Sequence, residues 1–275
     1  MLTKATGPTR TLKWVYVGIG LVLALVPIIW TVAGSFRTET DLFGHPAGLI
    51  PHHWTLHGYE GVWSQLPFLR LLGNSVVFAG ITTALTILFD SLCAYALARL
   101  EFRGRNVAFW LVLVTLMVPF QVTLIPVFVE LFHLGWLDTY QGLIVPRATS
   151  AFGIFLFRQF FMSIPRELDE AARIDGAGHL RIYWRIILPL AKPAIATVAL
   201  LNFTNLWNDL LWPLVVSSSP DMQTLPAGLA LFGGQHVTDH AVLLAGAVIS
   251  LLPIAVAFFL AQRYFVAGIS TSGLK

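Results

Sequence analysis

The chain has 275 residues, 56% of them hydrophobic and only 11% charged, against about 25% charged in soluble domains. That composition excludes a water-soluble globular domain and points to a polytopic membrane protein. The formal charge of +3 is no argument for nucleic-acid binding, and the single cysteine, Cys93, excludes an intrachain disulfide or a multi-cysteine metal site.

The N-terminal stretch MLTKATGPTRTLK is basic and leads into an apolar run over 14–34. That run spans about 32 Å as a helix, which matches a hydrocarbon core of about 30 Å. It is longer than the apolar region of a signal peptide, so a first transmembrane helix is expected. Further long apolar segments follow at 72–98, 107–131, 142–162, 190–216 and 241–262. Lipid offers no partners for backbone groups, and these runs lack the alternation of barrel strands, so six helices are predicted. Pro119 and Pro126 interrupt the third, Pro193 and Pro213 the fifth, and Pro253 the sixth; each removes a backbone donor and invites a kink. The whole of 1–275 reads as one transmembrane domain.

Orientation follows from lysine and arginine. With a cytoplasmic N-terminus, only Arg37, Arg70 and Arg147 of the 17 fall on or near the outer side. The positive-inside rule therefore predicts both termini in the cytoplasm. Seven of the eight histidines, including His45, His236 and His240, fall on the opposite side. His52, His53 and His57 lie in GHPAGLIPHHWTLHGYEGVW, a loop-like stretch without firm periodicity. They read as solvated or interfacial loop histidines rather than metal ligands.

Between the fourth and fifth segments, 166–192 holds nine charges. Burying them in the bilayer would cost on the order of 25 kcal/mol, so this segment lies outside the membrane, on the cytoplasmic side. Pro165 suits a first helical turn, and Glu167, Asp169 and Glu170 suit the positive end of a helix dipole. Gly176 and Gly178 can end that helix, and a second short helix runs through Leu180, Tyr183 and Trp184 to Pro189. Leu168, Ala171, Ala172 and Ile174 give the first helix a small apolar face. The residues alone fit either a knob docking into a protein cleft or an interfacial amphipathic linker.

The spacing of Glu170-Ala171-Ala172, Gly176, Ile186 and Leu188-Pro189 resembles the cytoplasmic signature of ABC-importer permeases. Other matching stretches include AYALARLEFRGR at 94–105, MVPFQV at 117–122, IPRELDEAARIDGA at 164–177, WNDLLWPL at 207–214 and TLPAGL at 224–229. Nearly the whole chain is similar to the second permease subunit of carbohydrate-type ABC importers, the maltose and glycerol-3-phosphate transporter group. The resemblance implies a type I importer permease fold. It implies an ATPase-coupling role for segment 164–189, with Glu170, Ala171, Ala172, Asp175, Gly176, Ile186, Leu188 and Pro189 as its residues. It also implies two copies of a cytoplasmic ABC ATPase, a second permease subunit and an extracytoplasmic substrate-binding protein, in the prokaryotic inner membrane. FVAGISTSGLK resembles the family's C-terminal tail, which reaches toward the ATPase pair. No lysine here stands in a GK[ST] phosphate-binding loop. ATP and magnesium are thus expected on the partner ATPase, and this chain is expected to hold no cofactor, no metal and no catalytic residue.

In the fifth span, Asn202, Asn205 and Asp209 follow an i, i+3, i+7 spacing, with Asn208 beside them. They fit a hydrogen-bonding lining for a hydroxyl-rich solute, or polar glue between helices. Trp207 and Trp212 fit sugar stacking or interfacial anchoring. Asp90, in the second span, fits helix packing or pairing. The expected function is a permease subunit carrying a sugar or sugar derivative. The alternative is an ion-gradient-driven secondary transporter, which usually carries internal repeats not evident here.

Overall fold

The computed structural model describes the backbone of residues 7–235 and 239–272 and the side chains of 12–234 and 239–263. His236 and the side chains of the expected C-terminal tail lie outside the described residues. All regular structure among the described residues is helical. The first membrane helix is α1 (Gly7–Gly34), followed by α2 (Glu39–Gly44), which Thr38 caps through its side chain, and α3 (His57–Gln65). A 32-residue helix, α4 (Phe68–Arg99), comes next. Then come α5 (Arg105–Thr115), α6 (Phe120–Leu134) and α7 (Tyr140–Ile144), the last running into a 3-10 turn at Val145–Arg147. After α8 (Ala151–Ser163) the chain forms α9 (Glu167–Ile174), α10 (His179–Ile182), a π-helical turn at Tyr183–Ile187 and α11 (Leu188–Leu190). It continues as α12 (Lys192–Trp207), α13 (Leu211–Val216), α14 (Leu225–Gln235) and α15 (His240–Ser272).

The six apolar segments map onto these helices in three ways. Residues Leu12–Gly34, Phe68–Arg99 and His240–Arg263 are unbroken helices long and apolar enough to cross a membrane. The third and fifth segments are broken. The pair α5 and α6 meets at 94°; the fifth segment divides into α12 and α13 across 208–210, and His179–Leu190, which precedes it, meets Lys192–Trp207 at 77°. Pro119 accounts for the first break, since it sits extended at φ −60° and ψ 136° ahead of α6 and disfavours helical geometry at Val118. The fourth segment holds α8, which at 13 residues is about 20 Å long, and the turns of α7 supply the rest of its apolar length.

The residues group into two compact units. One comprises Met1–Phe68 and Leu229–Leu252. Here α3 packs closely on the start of α15. A Cβ on Gly58 would lie 2.5 Å from the Ala241 carbonyl oxygen, and one on Gly61 would lie 2.3 Å from a Val242 methyl. The loop between α1 and α3 is organised by Arg37, which is fully buried. Its Nε donates to Asp41 Oδ2 at 2.8 Å, and its other nitrogens donate to the carbonyls of Asp41, His45 and Gly48. The Arg37 guanidinium holds the Asp41 carboxyl well below the usual carboxylate range.

The second unit comprises Leu69–Gly228 and Pro253–Lys275. Its core joins α4, α5, α8 and the α10–α12 segment through Ala94, Tyr95, Phe109, Phe157, Phe161, Ile182, Tyr183 and Ile187. Asp90 lies fully buried in α4. It accepts from the Thr149 hydroxyl at 2.7 Å and from the Ser150 backbone N–H at 3.1 Å, so it ties α4 to the start of α8 as a packing group.

Candidate coupling elbow and solute cavity

The charged segment 164–189 folds as an elbow. Pro165 precedes the first helix rather than opening it, and α9 begins at Glu167 with three acids in its first turn. Gly176, at φ +76°, ends α9. The Ala177 N–H reaches the Ala172 carbonyl at 2.9 Å and the Gly176 N–H reaches that of Arg173 at 3.0 Å, which is the Schellman arrangement. Gly178 serves the following helix instead, as the N-cap of α10. The second short helix is not regular. Pro189 has no N–H, and its ring crowds the carbonyl four residues back. The chain widens into the π turn, where the Leu188 N–H bonds to the Tyr183 carbonyl five residues back.

One face of the elbow is inside the protein. Ile182, Tyr183 and Ile187 are fully buried. The Tyr183 hydroxyl meets Ser91 Oγ at 2.7 Å, and the Tyr95 hydroxyl donates to the His179 carbonyl at 3.1 Å. The other face is open: Ile174 is 87% exposed and Leu180 67%.

Arg99 joins the elbow to the membrane helices. At the last residue of α4, its Nη2 donates to the carbonyls of Phe161 at 2.5 Å and Ile164 at 2.7 Å, and its Nη1 to Asp169 Oδ2 at 3.2 Å. It thus adds a second donor to the Phe161 carbonyl, which also accepts from the Ile164 N–H at 3.2 Å, caps the end of α8 through the Ile164 carbonyl and pairs with a carboxylate in the first turn of α9. Both side chains are almost wholly buried.

Farther along the second unit, a cavity of about 1010 Å³ is lined by Gln121, Arg147, Thr204, Asn205, Asn208 and Asp209 on an apolar frame that includes Phe120 and Phe258. Arg147 pairs with Asp209 at 2.9 Å, and its guanidinium lies 4.2 Å from the centre of the Phe120 ring. The other Asp209 oxygen accepts from the Trp212 backbone N–H at 3.2 Å. The pair therefore keeps the end of α12, the start of α13 and the α7–α8 turn together at the cavity wall.

Residues 90–271 match the family of binding-protein-dependent transport system inner membrane components. The chain belongs to this family. It is 39% identical over 256 residues to the arabinooligosaccharides transport system permease protein AraQ of Halalkalibacterium halodurans, covering 92% of each chain. It is 37% identical over 262 residues to the sn-glycerol-3-phosphate transport system permease protein UgpE of Yersinia enterocolitica, covering 92% of this chain and 93% of that one. Its fold matches a subunit of a bacterial ABC transporter involved in the import of the acidic polysaccharide alginate, with a TM-score of 0.85 and 28% identity over 96% of this chain and 99% of that one. The chain is therefore a membrane permease subunit of an ABC importer, not an enzyme, and ATP hydrolysis belongs to a separate subunit. That sets aside the ion-gradient-driven carrier.

Within this permease, the residues singled out in the sequence divide. Glu170, Ala171, Asp175, Gly176 and Pro189 are exposed on the elbow. Ala172, Ile186 and Leu188 are half-buried and pack against the core. Asn205, Asn208 and Asp209 line the cavity, but Asn202 turns away from it toward α4, donating to Thr86 at 3.2 Å and Thr83 at 3.4 Å. Trp207 and Trp212 are buried and line no part of the cavity, because Trp207 stacks on Phe203 and Trp212 donates to the Leu143 carbonyl. Sugar stacking on either indole is thereby excluded in this conformation. Arg99, Asp169, Tyr183 and Arg147 carry much of the geometry without having been singled out as site residues. An arginine at the end of a span and an aspartate in the first turn of the next short helix were the available signals.

Proposed function

We propose that this permease forms, with a second permease subunit, the membrane pathway for a carbohydrate or carbohydrate derivative. In this reading an extracytoplasmic binding protein delivers the solute, and two cytoplasmic ATPase subunits drive the cycle. The observation that carries it is the two-sided elbow, bare and apolar outward and fastened inward to α4 and α8. Ile174, Leu168 and Leu180 present an apolar surface to the ATPase, with Glu170 and Asp175 at its rim. In this reading both termini lie in the cytoplasm, on the elbow's side, as the distribution of lysine and arginine predicts. When the ATPase subunits close, α9 moves as a body because its last turn is locked by the Gly176 cap. The displacement passes through Asp169 and Arg99 to the end of α4, and through Tyr183 and Ser91 to its interior. The cavity is suited to the cargo: amides and the Arg147–Asp209 pair meet hydroxyls, and the aliphatic wall covers the C–H faces of a sugar ring.

Ile174→Asp tests the docking face. Its side chain touches little of this protein, so insertion and thermal stability should match the parent. ATPase co-purification and solute-stimulated ATP hydrolysis should fall by at least about tenfold, as for loss of a central interface anchor. Glu170→Lys should lower both in the same direction. Normal uptake in proteoliposomes by both variants would overturn the coupling role.

A further inference from the structure

The loop between α1 and α3 brings together side chains that belong to neither the elbow nor the cavity. Asp41 Oδ1 lies 2.9 Å from His52 Nδ1 and 3.4 Å from His45 Nδ1, and the three atoms lie within 4.8 Å of one another. Ligands held about 2.0–2.2 Å from a tetrahedral ion are separated from each other by roughly 3.3–3.6 Å, so a small spreading of this trio admits an ion at its centre. The carboxylate is already aimed. Arg37 Nε and the His52 backbone N–H occupy Oδ2 at 2.8 and 3.2 Å, which leaves Oδ1 turned toward the two imidazoles. Such outer contacts are what orient first ligands in metal sites. The remaining hydrogen bonds of Arg37 go to the carbonyls of Asp41, His45 and Gly48 and hold the loop around the carboxylate.

Access is also provided. Asp41 is buried, whereas the His45 and His52 side chains are 61% and 55% exposed. Their rings lie side by side with centroids 4.3 Å apart, both presenting Nδ1 to the same oxygen. We propose that Asp41, His45 and His52 form a binding site for a zinc-class divalent cation, with a fourth position open to water. Two imidazoles and one carboxylate favour zinc, cobalt, nickel or copper over magnesium or calcium, which take oxygen ligands. The ion would clip the turn carrying His52 to the end of α2, where His45 stands. By sequence, His52, His53 and His57 read as loop histidines rather than metal ligands. The fold instead selects His52 with His45, and it sends His57 to Asp239 at 2.8 Å.

The test uses the full permease in its transporter complex, purified without a polyhistidine tag, stripped with chelator and titrated with Co²⁺. One equivalent should bind with the visible absorption of low-coordinate Co²⁺, and Zn²⁺ should displace it. His45→Ala and His52→Ala each replace a half-exposed ring, so both should elute as the parent does on gel filtration. Each should weaken binding by at least about tenfold, whereas His53→Ala and His240→Ala should leave it unchanged. Absence of retained metal in the parent, or undiminished binding in the His45→Ala/His52→Ala double variant, would overturn the site and leave an ordinary carboxylate–imidazole hydrogen-bond cluster.

Discussion

At the residue scale, Arg99 ties the end of α4 to the end of α8 and the first turn of α9. Its guanidinium serves two carbonyls and a carboxylate in a buried setting, which suits the planar fork of arginine and not the point charge of lysine. Arg99→Ala should cost about 3–5 kcal/mol, the usual loss when one partner of a buried pair is removed. Thermal unfolding of the complex in detergent would show it. Arg99→Lys should recover part of the stability but little of the coupled ATP hydrolysis, because one ammonium cannot hold all three acceptors in the same geometry. Little of this was legible beforehand. Arg99 was visible as one more positive charge on the inner side. Its acceptors lie 62, 65 and 70 residues away, and no spacing rule links positions so distant.

At the scale of elements, the elbow was largely readable. Proline and the acids placed the start of α9 within a residue or two, and Gly176 marked its end. Gly178 and the π turn were not readable, since both depend on tertiary packing. The wide turn brings Ile182 and Ile187 onto the same buried side, and only the surrounding core makes that worthwhile. Gly176→Ala isolates the cap. No atom lies within 4 Å of the added methyl, so the penalty comes from the left-handed backbone alone, about 1–2 kcal/mol. Amide exchange in 167–177 should quicken accordingly, and uptake should fall while ATPase association persists. Unchanged exchange in that segment would contradict a structural role for the cap.

At the scale of the whole molecule, composition gave the class and the apolar runs gave six segments, but not how each would be folded. Pro119 marked the break at 116–119, but hydropathy registers transfer cost and not backbone direction, so neither its 94° angle nor the 77° bend at Ala191 was readable. The polar face of the fifth span shows the same limit: helical spacing grouped Asn202 with Asn205 and Asp209, while packing against Thr83 and Thr86 separated it. Two variants distinguish these roles. Asn202→Leu should destabilise the permease by about 0.6 kcal/mol, typical of a hydrogen bond between membrane helices, and leave the solute concentration for half-maximal uptake unchanged. Asn205→Leu should raise that concentration several-fold without altering the melting temperature. The reverse pattern would remove the cavity from the solute path.

The contacts of Arg99 also set rules for how this joint tolerates change. Two of its three acceptors are main-chain oxygens, and every residue type supplies one. Substitutions at 161 and 164 that respect the core leave those bonds in place. Chain length is another matter. One residue inserted between Ile164 and Asp169 would turn the carboxylate about 100° around α9 and away from Arg99. The connector is specified by count rather than by composition, so an engineered exchange of elbows between permeases should preserve the number of residues from 164 to 169 before it preserves their identity.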